Sequence, residues 1–311
     1  MPEECPLVSI VTASYNSSAY IEKAIRSVAA QDYPNIEHLI IDGGSTDRTV
    51  EILERFDDRI TWVSEPDKGQ SDALNKGWAR AGGKILGWLD ADNVYEPGAV
   101  REAVEKLSGD TGMVYGGVRD IDERGEVVRE YMPPEFTLRG FLLFHEFNFI
   151  PPSSVFVKRE ALDRSGLLDQ ALHYTMDFDL WLRLSLVTKI VREPRFWSRF
   201  LLRETSKTGS QMDRFGWDIL RVSEKFFSRD DLPREVRDAE REIRARLLEH
   251  AADRVVTSDF AEGRRLYLRA LKTAPFAARA ALWRKVAYLY YRDSFVGRTY
   301  RGMKTGLKPV I

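Results

Sequence analysis

Cysteine is nearly missing from this sequence, since Cys5 is the single one among 311 residues. One cysteine forms no intrachain disulfide and supplies no CxxC pair for a zinc site. A disulfide-stapled secreted domain and a cysteine-ligated metal fold are therefore excluded. We expect a cytoplasmic protein, because the cytoplasm keeps thiols reduced.

Long apolar runs are missing as well. The longest candidate, FLLFHEFNFI at 141–150, is broken by His145 and Glu146, and it is far shorter than the roughly 20 residues that span a bilayer. The first residues, MPEECPLVSIVTASYN, lack the basic and apolar parts of a signal peptide. We therefore expect no membrane-spanning segment and no secretory leader.

Further absences narrow the class of function. The net charge is −1, so no overall positive field favours nucleic acid as a partner. No G-x-G-x-x-G follows the first apolar run, and none of the four histidines forms an HExxH pair. A dinucleotide-dependent oxidoreductase and a histidine-ligated zinc enzyme are therefore not indicated. The composition, 43% hydrophobic and 31% charged, is that of a globular protein with a sizeable core.

Short apolar runs alternate with amphipathic segments in the first hundred residues. The strand-like runs are LVSIVTA (7–13), IEHLIID (36–42), RITWVSE (59–65) and KILGWL (84–89). Segments of helical periodicity lie between them, and in one of these Ile21, Ala24, Ile25 and Val28 share a face. This alternation predicts parallel strands joined by right-handed crossovers, with helices on both faces of the sheet.

The pattern changes after residue 110. GMVYGGV and PPSSVFVKR are typical of strands, and RDIDERGEVVREY predicts a hairpin around its Asp-Glu-Arg-Gly turn. DFDLWLRLSLV (177–187) predicts a helix, and only helical patterns follow from about residue 211. We therefore predict an α/β domain over residues 1–210 and a helical region over 211–311.

Polar segments follow the four apolar runs, at the strand ends where open parallel sheets bind ligands. In the last of them, DADN, Asp90 and Asp92 stand one residue apart. On an extended chain they would point to one side with Cα atoms about 7 Å apart, and two like charges there require a cation. Mg²⁺ or Mn²⁺ suits carboxylates and takes further oxygens from a substrate's phosphates. The simpler alternative is that Asp92 or Asn93 caps the helix that begins near Pro97.

Four segments together carry a family resemblance: VSIVTASYNSSAYIEKAIRSV, IEHLIIDGGSTDRT, EPDKGQSDALNKGWARAGGKILGWLDADN and MDFDLWLRL. In this order, over roughly residues 6–210, the sequence resembles the family-2 glycosyltransferases of the GT-A fold. The resemblance implies a Rossmann-like, mixed but mostly parallel sheet flanked by helices, to which the C-terminal all-helical extension is added. It implies an inverting, metal-dependent transfer of a sugar from a nucleotide diphosphate to a hydroxyl of a saccharide or lipid-linked acceptor, in cell-surface polysaccharide or glycolipid synthesis. A UDP-sugar is favoured as the donor, with thymidine and guanosine as alternative bases.

The resemblance also assigns roles to residues of this sequence. Asp92 would bind the divalent cation, Mn²⁺ or Mg²⁺, and Asp90 would contact the ribose or the water shell of the ion. Asp42 would accept a hydrogen bond from the base. The nucleotide sugar would further be bordered by Thr12, Ala13, Tyr15, Asn16, Lys68, Gly69, Asp72, Asn75 and Lys76. For Lys76 the alternative is a solvated helix face.

Asp177 falls where the family carries its catalytic base, the second member of a Glu-Asp pair. A carboxylate within hydrogen-bond reach takes the proton from the acceptor hydroxyl as it attacks. Met176 replaces the first member of the pair, so the acceptor-side role of that member is left without its carboxylate. The alternative for Asp177 is an N-cap of the following helix, a structural role that we assign to Asp179.

Two departures keep a second function open, that of a non-catalytic scaffold that binds nucleotide sugars. One is Met176. The other is LLRETSKTGSQ (201–211), which lacks the histidine that relatives often carry there and offers Arg203 or Lys207 instead. A glycoside hydrolase fits less well, because its two carboxylates stand on opposite sides of the scissile bond.

The end of the sequence is basic, with twelve Lys and Arg against two Asp and Glu from residue 261 onward. Trp283, Tyr288, Tyr290 and Tyr291 lie among these charges. Such helices indicate a peripheral contact with the anionic inner face of a membrane, close to a lipid-linked acceptor. A helical subdomain with a solvated cationic surface, or a dimer contact, is the alternative.

Overall fold

The computed structural model describes residues 5–144, 147–202, 212–275 and 280–293. The chain divides into two compact units, Met1–Ser210 and Gln211–Ile311. The first contains a β-sheet with helices, and the described part of the second contains helices.

One sheet runs through the first unit. Within the described residues its strands are β1 (Val8–Ser14), β2 (Ile36–Asp42), β3 (Thr61–Ser64), β4 (Ile85–Trp88), β5 (Val94–Tyr95), β6 (Thr111–Ile121), β7 (Val127–Tyr131), β8 (Val155–Lys158) and β9 (Lys189–Leu201). Their order across the sheet is β3-β2-β1-β4-β8-β6-β9-β5, and β7 pairs with β6. The mixed sheet expected from the resemblance is therefore confirmed.

The part of the sheet built from β1 to β4 is parallel, as the alternation in the sequence predicted. β1 pairs with β2 on one side and with β4 on the other, and β3 lies outside β2. Ser14 is level with Asp42, and Asp42 is level with Ser64. The polar segments that follow these strands therefore meet at one edge of the sheet.

The rest of the sheet mixes strand directions. β8 runs antiparallel to β4 and β6, β9 runs parallel to β6, and β5 runs antiparallel to β9. β6 and β7 form the hairpin that the sequence predicted. In its turn, Oδ1 of Asp122 accepts hydrogen bonds from the backbone N–H groups of Arg124 and Glu126, an arrangement typical of aspartate in turns.

Helices pack on the sheet in the first unit. They are α1 (Ile21–Ala29), α2 (Thr49–Glu54), α3 (Gln70–Arg80), α4 (Ala99–Lys106), α5 (Leu138–Leu142), α6 (Arg159–Ser165) and α7 (Met176–Ser185), together with a 3₁₀ turn at Pro152–Ser154. α1 buries Ile21, Ala24, Ile25 and Val28, the face that the sequence predicted. Apolar side chains from these helices and from the strands form the core between them.

The close approach of α3 to the sheet depends on a glycine. α3 packs on β1 and β2, and a Cβ at Gly77 would overlap the side chain of Val11. A residue without Cβ therefore lets the helix lie directly on β1. This places the first residues of α3 at the edge of the sheet where the polar segments meet.

The described regular elements of the second unit are all helices. Its helices are α8 (Met212–Phe227), α9 (Arg234–Asp238), α10 (Glu240–Val255), α11 (Phe260–Thr273) and α12 (Ala280–Asp293). Lys285 of α12 donates to Glu249 and Asp253 of α10 at 3.0 and 2.6 Å. Among the residues that the structure describes, none of the helices combines the length and the apolar character needed to cross a bilayer.

Candidate active site

Polar side chains hold together the loops that follow β1 and β2. The N–H of Asn16 donates to Oγ of Ser45 at 2.7 Å, and the Asn16 side chain accepts from the N–H of Thr46 at 2.9 Å. Asn16 has a φ of 49°, in the left-handed region that asparagine tolerates better than most residues. Ala13 before this loop is half-buried, and Tyr15 within it is 63% exposed. The loop is therefore fixed, with an aromatic ring open to a ligand.

Asp42, expected to meet the base, is fully buried. Its Oδ2 accepts from the N–H of Ser45 at 2.8 Å and from the hydroxyl of Ser64 at 2.7 Å. Its Oδ1 accepts from the hydroxyl of Ser45 at 2.5 Å. These donors compensate the burial of the charge, so in this conformation Asp42 joins the ends of β2 and β3 and presents no surface to a base.

The Asp-Ala-Asp-Asn segment is a turn. β4 ends at Trp88, and the N–H of Asn93 donates to the carbonyl oxygen of Asp90 at 3.0 Å, which closes a four-residue turn. The expectation of two acids on one side of an extended chain was wrong, because the chain turns as soon as it leaves the sheet. The alternative that Asp92 or Asn93 caps α4 was also wrong, because Gly98 occupies that N-cap position.

Hydrogen bonds surround the carboxylate of Asp90. Oδ1 accepts from the side-chain amide of Gln70 and from the indole N–H of Trp88, both at 2.8 Å. Oδ2 accepts from the hydroxyl of Ser153 at 3.2 Å and from the side-chain amide of Asn93 at 3.3 Å. These donors stabilise the negative charge and fix the turn at the end of β4. Gln70 and Trp88 stand inside the motifs that carry the family resemblance, whereas Ser153 is distant in sequence and was missed.

Asp92 is the second acid of this turn and is half-buried. Proteins commonly hold Mg²⁺ through one or two carboxylates, while phosphate oxygens and water complete its coordination shell. Carboxylates of this turn are the kind of ligand that such an ion takes, and Asp92 would hold it, while the Asp90 carboxylate accepts hydrogen bonds from Gln70 and Trp88. Within the described residues, no group of three or more His, Cys, Asp or Glu side chains is placed to hold a metal.

Asp177 lies in the first turn of α7. Its Oδ1 accepts from the N–H of Phe178 at 2.8 Å, and its Oδ2 accepts from the side-chain amide of Asn148 at 2.7 Å. Burial, together with the negative charge of Asp90, raises the pKa of Asp177 to about 7, although these two hydrogen bonds stabilise the charged form. The influence of Asp90 means that the two acids lie within electrostatic range of each other.

The capping roles considered for α7 were wrong. Thr175 occupies its N-cap position. Asp179 is buried and pairs with Arg183 at 2.8 Å, and the guanidinium of Arg183 also donates to the carbonyl groups of Ser165 and Gly166. Asp179 therefore has a structural role, but it acts by joining α7 to the end of α6.

Asn148 was missed by the sequence reasoning, because it lies far from Asp177 in the chain. The residue before it, Phe147, has a φ of 81°, a strained value for an aromatic residue. The Phe147 ring packs on Phe178 with centroids 4.3 Å apart, and Oδ1 of Asn148 accepts from the N–H of Ile150 at 3.0 Å. Packing and this bond together orient the amide of Asn148 toward Asp177.

Two expected nucleotide ligands have their polar atoms bonded inside the protein. Thr12 is fully buried, with its hydroxyl 2.9 Å from Nε2 of His38. Burial lowers the pKa of His38 to about 3, so the imidazole is neutral. The side chain of Asn75 donates to the carbonyl of Leu168 at 2.9 Å and accepts from its N–H at 3.0 Å. In this conformation both residues join elements of the fold.

The loop before α3 holds the remaining expected ligands. Gly69, at the N-cap position of α3, has a φ of 110°, which a residue with a Cβ rarely adopts. Asp72 accepts from the N–H of Lys68 at 3.0 Å, and this bond, with nearby Lys76, lowers the pKa of Asp72. Lys76 pairs with Asp72 at 3.4 Å and with Glu65 at 3.1 Å, whereas the side chain of Lys68 is exposed. Lys68 is therefore the better placed of the two lysines for a diphosphate.

The departures from the family pattern have different outcomes. Met176 is buried, and the hydroxyl of Ser71 lies 2.9 Å from its sulfur. This position therefore joins α7 to α3 and presents no charge to an acceptor. Arg203 and Lys207, the candidates for the missing histidine, lie outside the described residues.

Comparison with known sequences gives one family and several relatives. A sequence model described as Glycosyl transferase family 2 matches residues 9–166. An uncharacterized glycosyltransferase of Rickettsia prowazekii (strain Madrid E) is 30% identical over 222 residues, which are 68% of this chain and 69% of that protein. One from Mycobacterium tuberculosis (strain ATCC 25618 / H37Rv) is 34% identical over 189 residues, 60% of this chain and 71% of the relative. A third relative is an uncharacterized glycosyltransferase of Rickettsia felis (strain ATCC VR-1525 / URRWXCal2), which is 32% identical over 195 residues. This match spans 60% of this chain but 32% of that longer protein.

Solved structures share the fold at low sequence identity. Staphylococcus aureus TarS 1–349 in complex with UDP-GlcNAc has a TM-score of 0.66 and 18% identity, covering 98% of this chain and 94% of that one. The mannosyltransferase PcManGT from Pyrobaculum calidifontis, in complex with GDP-Man and Mn²⁺, has a TM-score of 0.61 and 19% identity, with 97% and 85% covered. At these identities the similarity concerns the fold.

Proposed function

Because the chain belongs to glycosyl transferase family 2, we propose that it is an inverting, metal-dependent glycosyltransferase. The family and the GT-A fold agree with what the sequence predicted. The relatives are named glycosyltransferases, so the chain is an enzyme of this class, and the scaffold alternative has no support from them. The inverting course, the metal and the donor are the parts that we propose.

The observation that carries the proposal is the arrangement of Asp90, Asp92 and Asp177. Asp90 and Asp92 form the turn after β4, and the charge of Asp90 contributes to the raised pKa of Asp177. A pKa of about 7 suits a general base at neutral pH, because a base works best when its pKa is near that of the medium. The acid proposed for proton transfer is thus within electrostatic reach of Asp90, which belongs to the same turn as Asp92.

In the proposed mechanism, Asp177 takes the proton of the acceptor hydroxyl while the acceptor oxygen attacks the anomeric carbon. The bond between that carbon and the nucleoside diphosphate breaks in the same displacement, which inverts the configuration. Hydrogen bonds from Asn148 and Phe178 hold the Asp177 carboxylate, and each carboxylate oxygen has a second lone pair for the incoming proton. A divalent ion at Asp92, Mg²⁺ or Mn²⁺, would neutralise the charge on the leaving diphosphate.

The donor is proposed to be a UDP-sugar, and the acceptor a saccharide or a lipid-linked saccharide of cell-surface polysaccharide or glycolipid synthesis. TarS, which is similar in fold, is in complex with UDP-GlcNAc, and this supports uridine as the nucleoside of the donor. PcManGT is in complex with GDP-Man, so guanosine is the alternative nucleoside. The proposed site lies at the ends of β1 and β3, where it would be bordered by Tyr15, Asn16, Lys68 and Gly69.

The test is release of nucleoside diphosphate from UDP-, dTDP- and GDP-sugars in the presence of Mn²⁺. We expect Asp177→Asn to lower turnover by about 10²- to 10⁴-fold, the usual contribution of a general base, while UDP still raises the melting temperature. Asp163→Asn, an exposed acid on α6, is the control and should leave turnover unchanged. Normal turnover of Asp177→Asn would refute the base assignment, and release from none of the donors would refute the function.

We also propose that α12 rests on the anionic inner face of a membrane. It buries Leu282, Val286 and Leu289, while Trp283 and Tyr290 are 52% and 53% exposed. The Arg264 guanidinium lies 5.8 Å from the centroid of the Tyr290 ring, so aromatic and basic groups share this surface, as in interfacial helices. Binding of Trp283→Ala/Tyr290→Ala to phosphatidylglycerol vesicles should be weaker than that of the parent chain. Equal binding would favour the dimer contact considered from the sequence.

A further inference from the structure

A residue that forms a hydrogen bond with the base needs a polar atom at the surface of the site, and Asp42 has no exposed atom. Its oxygens are taken by Ser45 and Ser64, and its side chain is fully buried. Freeing it for a ligand would break these bonds and leave a charge poorly compensated in the interior. If a carboxylate contacts the base, as the resemblance implied, it therefore comes from another residue at this edge of the sheet.

Gly43 marks where that carboxylate stands. A Cβ built on Gly43 would lie 2.6 Å from Oδ2 of Asp67. The carboxylate of Asp67, in the loop after β3, thus occupies the space that a side chain at position 43 would fill. Its Oδ1 accepts from the N–H of Gly69 at 2.7 Å, which fixes the group with Oδ2 toward Gly43.

The backbone of Gly43 lies beside the end of β1, since its N–H donates to the carbonyl of Ser14 at 2.8 Å, and the next residue after Ser14 is the exposed Tyr15. Ser14 pairs with Asp42 in the sheet, so the next residues along each strand, Tyr15 and Gly43, leave the sheet side by side. Aromatic side chains stack on nucleobases of every type, whereas a carboxylate can only accept hydrogen bonds, and the donors that a base offers are its N–H groups. Tyr15 would supply a ring for stacking, and Asp67 would supply a hydrogen-bond acceptor. Gly43, which has no side chain, leaves room for the Asp67 carboxylate.

We propose that Asp67 determines which base the donor nucleotide carries, by accepting a hydrogen bond from the imide N–H of that base. This inference rests on the proposed function, since it names the residue that selects the donor. Uracil, thymine and guanine present such an N–H beside a carbonyl group. Cytosine and adenine present a lone pair at the corresponding position, which the carboxylate repels.

The first experiment measures binding of UDP, GDP, CDP and ADP with Mn²⁺ by calorimetry. Asp67→Asn keeps the shape of the side chain, and its carbonyl oxygen can still accept from Gly69, so its amide would point a donor at the base. We expect UDP and GDP to bind about 10- to 100-fold more weakly, the effect of losing a hydrogen bond to a charged group, while CDP binds no worse than to the parent chain. Asp58→Asn, an exposed acid at the other end of β3, should change nothing.

A second experiment moves the carboxylate. Asp67→Ala should lose the preference for UDP over CDP, and Gly43→Asp combined with Asp67→Ala should restore it, because the two side chains would use the same space. A double variant as unselective as Asp67→Ala would overturn the inference, as would Asp67→Asn binding UDP and CDP like the parent chain. If the parent chain bound none of the four nucleotides, the proposed function itself would fail. Binding without selection by Asp67 would refute this inference alone.

Discussion

The substitution Asn148→Ala tests how a neighbouring amide supports Asp177 in its proposed role as the base. The substitution removes the amide that donates to Oδ2 of Asp177 at 2.7 Å and leaves the bond from the Phe178 N–H in place. Because this hydrogen bond stabilises the charged carboxylate, its loss favours the protonated form and raises the pKa of Asp177. A protonated carboxyl group cannot accept the proton of the acceptor hydroxyl.

The size of the pKa change follows from the negative charge of Asp177, which accepts this hydrogen bond. A hydrogen bond to a charged group contributes about 1.5–3 kcal/mol, and each 1.36 kcal/mol corresponds to a factor of ten. With the pKa of Asp177 at about 7 in the parent chain, roughly one tenth of the sites are ionised at pH 6. In the variant that fraction, and with it kcat/KM at pH 6, should fall by a further factor of about 10 to 100. Toward high pH, where both proteins are ionised, the rates should converge.

The assay is the pH profile of kcat/KM for donor turnover, with circular dichroism as a check of folding. Asn35→Ala is the control, since its amide bonds a backbone carbonyl group at the start of the chain and not an acid of the site. We expect the acid limb of the Asn148→Ala profile to move to higher pH and that of the control to stay. A loss of rate that is the same at every pH would refute the reasoning, because it would show that Asn148 does not act through ionisation.

Three further perturbations follow from the structure. Trp88→Phe removes the indole N–H that donates to Asp90, so turnover at a saturating concentration of the sugar nucleotide should fall about tenfold. The control Trp62→Phe loses a bond to a surface acid and should not change turnover. Equal rates in the two variants would contradict this. Gly77→Ala forces a methyl group against β1 and should lower the free energy of unfolding, measured in urea, by about 1–3 kcal/mol. Gly82→Ala is the control, because its methyl group would meet only ordinary contacts. Equal losses of stability in the two variants would refute the packing argument. In Asp177 the folded-state pKa is raised from 3.8 to about 7, so the parent chain loses stability as pH rises through this range. Asp177→Asn should therefore melt higher relative to the parent at about pH 8 than at about pH 4.5, and a constant difference would contradict the pKa.

The local elements were largely predictable. The second strand begins and ends where its apolar run does, and α1 buries the predicted face. Periodicity is a property of neighbouring residues and needs no distant partner to be read. Parallel pairing followed from the strand-helix alternation, because short crossovers leave few other topologies.

Helix caps and the conformation of the Asp-Ala-Asp-Asn segment were not predictable in the same way. Several residues near each helix start could cap it, and the choice depends on where the chain leaves the sheet. Asp90 and Asp92 follow an apolar strand in sequence, yet the chain turns at once because Asn93 donates to Asp90 and Ser153 holds the carboxylate.

The sequence by itself determined the family, the parallel order of the first strands and the presence of acids directly after them, because these depend on residue type and spacing. The tertiary structure alone decided which acids are exposed and which are bonded. It buried Asp42 among serines, brought Asn148 to Asp177 and placed Asp67 over Gly43. Hydrogen bonding and burial are set by residues far apart in the chain, so no local pattern contains them.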